Sequence, residues 1–339
     1  MKRASLRKIY WSVLNLLPRK AALKLNLALR CLCEDWDFAV NVYLFSADFA
    51  NLEETEIRRR LDGLDENSIA VAVEYVRRCR NLERMKGFPF SDGSCALIRQ
   101  SALEKDIMCV PPPPPELKAW QKKYGFKTGA EVLIYQHGLS FYRELISDYV
   151  RGKAFIDAGA CIGELIPALL EYAPEKIYAF EPSAKNVRRF EKEMKKRTIT
   201  SDKVVIVPAG LGEQVGSMSF DDCGGSGQQI SGGEEGSFRC PVTTLDIFAV
   251  EKKISSVGLI KTDVEGMGLN LLHGAVKVIQ RDRPVLALAA YHNTDELLGQ
   301  YEFLKSNLPD YHFEIRDLPP GSSFEVTLIA WPEEADAKH

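Results

Sequence analysis

Four short stretches bring together residue types able to do chemistry. FIDAGACIG (155–163) runs apolar residues into a turn, with Asp157 at its mouth and Gly159, Ala160 and Gly163 along it. YAFEP (178–182) ends on Glu181 and Pro182, and KTDVEG (261–266) holds Lys261, Thr262, Asp263 and Glu265. AAYHN (289–293) adds Tyr291 and His292. A Gly-rich turn behind a strand is a ligand cradle, so its spacing restricts what it holds. A dinucleotide turn, G-x-G-x-x-G, needs its middle glycine for close approach of a pyrophosphate; Cys161 stands there. A phosphate loop closes on Gly-Lys-Ser/Thr, whereas Gly163 is followed by Glu164. Phosphate is disfavoured on both counts.

A phosphate-free nucleoside suits these residues better, and S-adenosylmethionine is one, with an amino-acid end and a ribose diol. Asp157 is expected to accept from its ammonium, while Gly159 and Gly163 let the turn approach its methionine part. Glu181 is expected to accept both ribose hydroxyls, because a carboxylate offers two acceptor oxygens. A Gly-rich turn also serves as a plain helix cap, and a strand-end glutamate is often merely solvated. The combination, in strand order, favours the cofactor.

Transfer of a methyl group from a sulfonium needs mostly positioning, and a hydroxyl acceptor also benefits from a general base. Asp263 is the first choice for that base or for an acceptor anchor. Glu265 is the second, being equally suited to cap the following helix. His292 is a third candidate, since an imidazole of ordinary pKa near 6.5 takes a proton at neutral pH, although a lone histidine is more often structural. Tyr291 is expected to pack, and His137, in IYQHGLSF, precedes the first strand. Asp263 and Glu265 are hard oxygen donors that suit magnesium, but no third ligand is evident, so no metal is expected.

The elements that must position these groups begin after Lys153, where short β-branched runs alternate with helical ones. Strands are expected over 154–159, 176–182, 203–212, 257–266 and 284–293. Helices are expected over 164–172, 184–197, 269–280 and 294–308. YHFEIRDL and FEVTLIAW then follow with no room for a helix between them, which requires a hairpin. Alternating βα units give a mostly parallel sheet with helices on both faces. The expected fold is therefore α/β, a Rossmann-like class I methyltransferase sheet closed by a C-terminal antiparallel hairpin. Residues 217–246 interrupt the alternation; their glycine content suggests an inserted hairpin, with 222–237 either a lid over the acceptor or a plain solvent loop.

The N-terminal part reads differently. Residues 1–110 lack strand-like runs and have helical spacing over 21–32, 52–62 and 68–84, so they are expected to form a helical domain. Five prolines at 111–115 make a stiff connection, and 111–129 is read as a Pro-rich linker and connecting segment. The methyltransferase domain is placed at 130–333, with 334–339 a disordered tail. At 339 residues and 45% apolar, the chain can bury a large core. Its net charge of −3 gives no argument for nucleic acid. Residues 1–33 carry only basic charges, which suits either a solvated helix face or contact with an anionic surface. Their longest uncharged run is too short to cross a bilayer, and no signal-peptide pattern is read. A cytoplasmic location is expected, with the eight cysteines as reduced thiols. The oligomeric state is open, a homodimer included.

In this order FIDAGACIG, YAFEP, VTTLD, LIKTDVEG and AAYHN resemble the FkbM-type S-adenosylmethionine-dependent methyltransferases, over about residues 130–332. The resemblance implies O-methylation of a hydroxyl on a small molecule or a sugar or glycan, with Asp157, Gly159, Gly163 and Glu181 at cofactor positions. In two places the sequence departs from the family pattern. Members commonly carry an acid where Gly268 stands here, and a polar residue where Cys161 stands. The missing acid favours a rival reading, a non-catalytic scaffold of the same fold; intact Asp157 and Glu181 oppose it. An NAD-dependent dehydrogenase ranks third.

Overall fold

The computed structural model describes residues 48–85, 115–125, 135–223, 226–229, 238–317 and 326–338. The helix expected over 21–32, the CxC at Cys31 and Cys33, the proline run 111–114 and most of the tip 222–237 lie outside them. The chain divides into two compact units, Met1–Leu52 with Glu74–Asp106, and Glu53–Val73 with Ile107–His339. One division, between Asp106 and Ile107, lies close to the boundary expected near 110, and a further stretch of the N-terminal part goes with the second unit. Residues 53–73 join the second unit, because their side chains are bonded into it. Arg60 grips the Glu302 carboxylate at 2.9 and 2.6 Å, and Ser68 Oγ accepts from the Ile315 amide at 2.9 Å.

In the second unit, helices α1 (Glu54–Arg60), α2 (Glu66–Met85, of which its first residues belong here), α3 (Leu117–Tyr124) and α4 (Arg143–Val150) precede the sheet. Strands β1 (Ala154–Ala158), β2 (Ile177–Phe180) and β3 (Val204–Val207) follow, separated by α5 (Ile166–Leu170) and α6 (Ala184–Lys196). After an insertion and α7 (Leu245–Glu251) come β8 (Val257–Thr262), α8 (Gly268–His273), α9 (Val276–Asp282) and β9 (Val285–Ala289). A π-helical turn (Asp295–Gly299) leads into α10 (Gln300–Asn307), then β10 (Tyr311–Asp317) and β11 (Val326–Pro332).

Among the described residues the main sheet orders its strands β10-β11-β9-β8-β1-β2-β3. All neighbours are parallel except that β11 runs antiparallel to both β9 and β10. This is the expected mostly parallel α/β sheet with its terminal hairpin. β1, β8, β9 and β11 are buried along their whole length, as strands covered on both faces must be. Phe155, Leu259, Val285 and Ile329 are fully buried within one core.

Four sequence expectations are corrected. The third strand stops at Val207 instead of running to 212, because Pro208 has no N–H for the ladder. The chain then starts a second sheet, β4-β7-β5-β6, from β4 (Gly210–Leu211), β5 (Gly216–Cys223), β6 (Ser226–Gln229) and β7 (Phe238–Thr243), so the insertion is a small sheet rather than one hairpin. The helix expected over 269–280 is two helices, α8 and α9. A Cβ at Gly274 would lie 2.0 Å from the Gly212 carbonyl oxygen, so the break is a point of backbone contact. The tail expected to be disordered carries a 3-10 helix, Glu333–Lys338, with Ala335 buried. No helix among the described residues is long and apolar enough to cross a membrane.

Candidate active site

The carboxyl ends of β1, β2 and β8 meet at the switch point of the sheet, where ligands of open α/β folds bind. The Gly159 and Ala160 amides both donate to the Phe180 carbonyl at 3.0 Å, and the Asp263 amide donates to the Ala158 carbonyl at 2.9 Å, so the three strand tips are tied to one another. A cleft of about 950 Å³, counting the part open to solvent, lies beyond them. Of the residues expected to bind cofactor, Gly159, Glu181 and Pro182 line it; so do Asp263 and Glu265 of the expected catalytic set. Leu211 and Met218, from the second sheet, supply apolar wall.

Asp157, Ala160, Gly163 and His292 stand behind the wall instead. Asp157 is 0% exposed and pairs with Lys261 at 3.2 Å, a charge contact whose alignment does not make a hydrogen bond. Lys261, 3% exposed, donates to the Gly159 carbonyl at 3.0 Å. The ammonium that faces Asp157 in this structure is thus that of Lys261, where the sequence reading expected a ligand's. The two glycines also do different work. A Cβ on Gly159 (φ 75°) would sit 1.7 Å from the Asp263 carbonyl oxygen, so this glycine lets two strand tips touch beside the cleft. A Cβ on Gly163 (φ 78°) would sit 2.2 Å from the Phe190 ring. Gly163 is there to pack α6 against the turn. Gly163→Ala is expected to cost about 1–3 kcal/mol of stability by overpacking, read by denaturant unfolding, with partial rescue by Phe190→Leu; an unchanged midpoint refutes this role.

Glu181 is 5% exposed and accepts from the Ser183 amide at 2.8 Å and the Asn186 side chain at 3.4 Å. Burial pushes its carboxyl up to about 7, against the amides of Ser183 and Cys161 and the Asn186 amide, which favour the ion. Ser183 is at once the N-cap of α6, so one loop both starts a helix and seats this carboxylate. Cys161, in a left-handed conformation (φ 48°), lines the cleft. Burial, helped by Glu164 and Glu181, pushes its thiol up to about 12, which leaves it protonated and non-nucleophilic at neutral pH.

On the opposite wall, Asp263 Oδ1 accepts from the Tyr291 hydroxyl at 2.9 Å and lies 3.5 Å from His292 Nε2. Tyr291, expected to pack, also holds the first-choice carboxylate. Glu265 Oε2 lies 3.5 Å from the same His292 nitrogen, and His292 Nδ1 is 2.6 Å from Glu296 Oε2. Burial opposes a charge on His292, but Glu296, Glu265 and Asp263 outweigh it and hold the imidazole at about 9. An imidazole raised this far favours its protonated form at neutral pH, which suits a cation beside the two cleft carboxylates better than a base. Burial raises Asp263 too, but Lys261, His292 and His137 outweigh it and keep the carboxyl below its ordinary range. For Glu265 burial wins, reinforced by Asp263 and Glu296, and its carboxyl rises to about 7. His137 is held neutral, at about 4, chiefly by burial and then by Lys261. Lys261 and Glu296 are the charged residues in contact with this constellation that motif reading did not assign. A lysine inside an otherwise largely apolar strand and a glutamate four residues after a histidine were the available signals.

Among the described residues that line the cleft there are three carboxylates, Glu181, Asp263 and Glu265, and no lysine, arginine or histidine. That donor set suits a cationic, phosphate-free ligand and fits a sulfonium nucleoside. No group of three or more His, Cys, Asp and Glu with metal-holding geometry occurs among the described residues.

Residues 157–318 match the family model described as the Methyltransferase FkbM domain. No curated protein matches the chain. Among solved structures, it is similar to a methyltransferase FkbM from Methylobacillus flagellatus, with 20% identity, 64% of this chain and 59% of that chain covered, and a TM-score of 0.42. The chain thus spans less than two thirds of that relative. It is also similar to an O-methyltransferase from Bacillus cereus solved with SAH (12% identity, 67% and 94% covered, TM-score 0.39). A third is an rRNA methylase from Streptococcus thermophilus (11% identity, 57% and 95% covered, TM-score 0.37).

Proposed function

We propose that this chain, whose residues 157–318 form a methyltransferase domain of the FkbM family, transfers a methyl group from S-adenosylmethionine to a hydroxyl oxygen of a small molecule, sugar or glycan. The observation that carries the reading is the cleft wall, with three carboxylates, no lysine, arginine or histidine among its lining residues and an apolar lining of Phe180, Leu211, Met218 and Val264. Bound S-adenosylmethionine supplies a methyl carbon already electrophilic on its sulfonium. Glu181, at the tip of β2, would accept from the ribose diol. Gly159 and Ala158 would let the nucleoside lie against the tip of β1. Asp263, kept anionic and aimed by Tyr291 and His292, would orient the acceptor hydroxyl. Glu265, whose carboxyl is raised to about 7, would take the hydroxyl proton, since a base is most effective near the working pH.

Titration calorimetry with S-adenosylmethionine tests this reading. Glu181→Gln keeps the shape and removes the charge, and is expected to weaken binding about 10- to 100-fold, the value of charge-assisted hydrogen bonds. Because Glu181 ionises near 7, wild-type affinity is expected to fall below that pH, and the Gln variant to lose the dependence. Absence of any binding would leave only a scaffold of the same fold. The acceptor is then found by incubating protein, methyl-labelled cofactor and a metabolite extract, and weighing what gains a methyl group.

A further inference from the structure

The histidine behind the acceptor wall is held by a carboxyl from outside the four motifs. Glu296 is 0% exposed and sits in the π-helical turn Asp295–Gly299. Its Oε2 meets His292 Nδ1 at 2.6 Å, and its Oε1 accepts from the Gly268 amide at 2.9 Å. Each carboxyl oxygen has its own partner, one at the end of β9 and one just past the carboxylate loop that follows β8. A Cβ added to Gly268 would lie 2.9 Å from Glu296 Oε1 and 2.9 Å from Gln300 Oε1. The Gln300 side chain is pinned, its Nε2 donating to the carbonyls of Ala289 and Glu296 at 2.8 Å. The space a side chain at 268 would use is thus filled by a carboxyl reaching in from the next helix. The π turn matters here because its extra residue per turn displaces side chains from their α-helical positions, and such turns recur at functional sites.

We propose that Glu296 is a positioning residue for the methyl-transfer site, fixing the His292 ring so that its Nε2–H points between Asp263 and Glu265. The pairing stands without any assumption about the reaction; its catalytic consequence rests on the function proposed above. The groups facing His292 are Glu296 from its own turn, Asp263 and Glu265 from the loop after β8, and the Tyr291 ring at 4.0 Å. Nδ1 faces Glu296 Oε2 at 2.6 Å, and on the other side of the ring Nε2 lies 3.5 Å from each of the two cleft carboxylates. One oxygen pair then has a fixed cation beside it, while the ring cannot turn.

Glu296→Gln on the full-length protein is the test. NMR titration of the His292 ring is expected to show its pKa fall by about 1–3 units, the range for removing an adjacent opposite charge. The pH profile of methyl transfer should move with it, while S-adenosylmethionine affinity stays within about twofold because Glu181 is on the other wall. An unmoved His292 titration overturns the proposal. A shifted titration with an unchanged pH profile of transfer keeps the pairing but overturns its catalytic role. A shifted titration in a protein that binds no S-adenosylmethionine indicts the proposed function instead. Should the variant not fold, wild type alone decides the pairing. A His292 ring that titrates at or below its ordinary 6.5, with no slowly exchanging Nδ1 proton, overturns it.

Discussion

Glu265→Gln is expected to lower the rate of methyl transfer about 10²- to 10⁴-fold, the usual contribution of a positioned base, with S-adenosylmethionine affinity little changed. The side chain lines the cleft on the acceptor wall, and burial lifts its carboxyl to about 7. At saturating cofactor, turnover by the wild-type protein should fall tenfold per pH unit below about 7, as the carboxyl gains the proton it needs to be without. The Gln variant should show no such acid limb. Single-turnover measurement with the labelled acceptor reads both features, and a variant that transfers at the wild-type rate removes Glu265 as base. Stability runs the opposite way. A carboxyl whose folded pKa is above its ordinary 4.5 favours folding most below that value, and the contribution is lost as pH rises through about 7. The site therefore asks for the ionised form at the pH where the fold begins to resist it.

Lys261→Met is expected to destabilise the protein by about 3–5 kcal/mol, because removing one partner of a buried pair strands the other charge. Lys261 and Asp157 are both essentially inaccessible and lie on adjacent central strands, β8 and β1. Lys261 also closes the turn by donating to the Gly159 carbonyl. Adding Asp157→Asn should recover much of the loss, since two neutral groups no longer leave an unbalanced charge. Denaturant unfolding of the two single variants and the double variant reads the coupling. If Lys261→Met unfolds at the wild-type midpoint, the pair is not what holds these strand tips.

The fold was legible where burial dictates composition. AFIDA, VGLIKT and VLALA are predominantly apolar, with Asp157, Lys261 and Thr262 the polar exceptions, because helices cover both sheet faces, and YHFEIRDL with FEVTLIAW left no length for a crossover. The places of Asp263, Glu265 and Glu181 on the cleft wall were legible because they follow strand tips at the switch point of the sheet. His292 was read by its ordinary pKa, which takes no account of Glu296 in its own turn or of Asp263 and Glu265 arriving from the loop after β8. Gly163 was read as making room for a ligand, when the crowding comes from Phe190, 27 residues on in the sequence. Period and spacing report which face a residue lies on. They do not report which side chain arrives from another element to meet it. The same limit hid Lys261 from Asp157 and reduced a small sheet to a hairpin, since strand pairing across an insertion is a matter of distant partners.

The all-acidic lining of the cleft also bears on how a catalytic cycle ends. A wall of carboxylates attracts a sulfonium, yet the thioether left after transfer is electrically neutral at sulfur. The proton removed from the acceptor meanwhile discharges one of the carboxylates. On the proposed function, a single turnover would thus weaken attraction from both sides at once, at the sulfur of the nucleoside and at the wall that faces it.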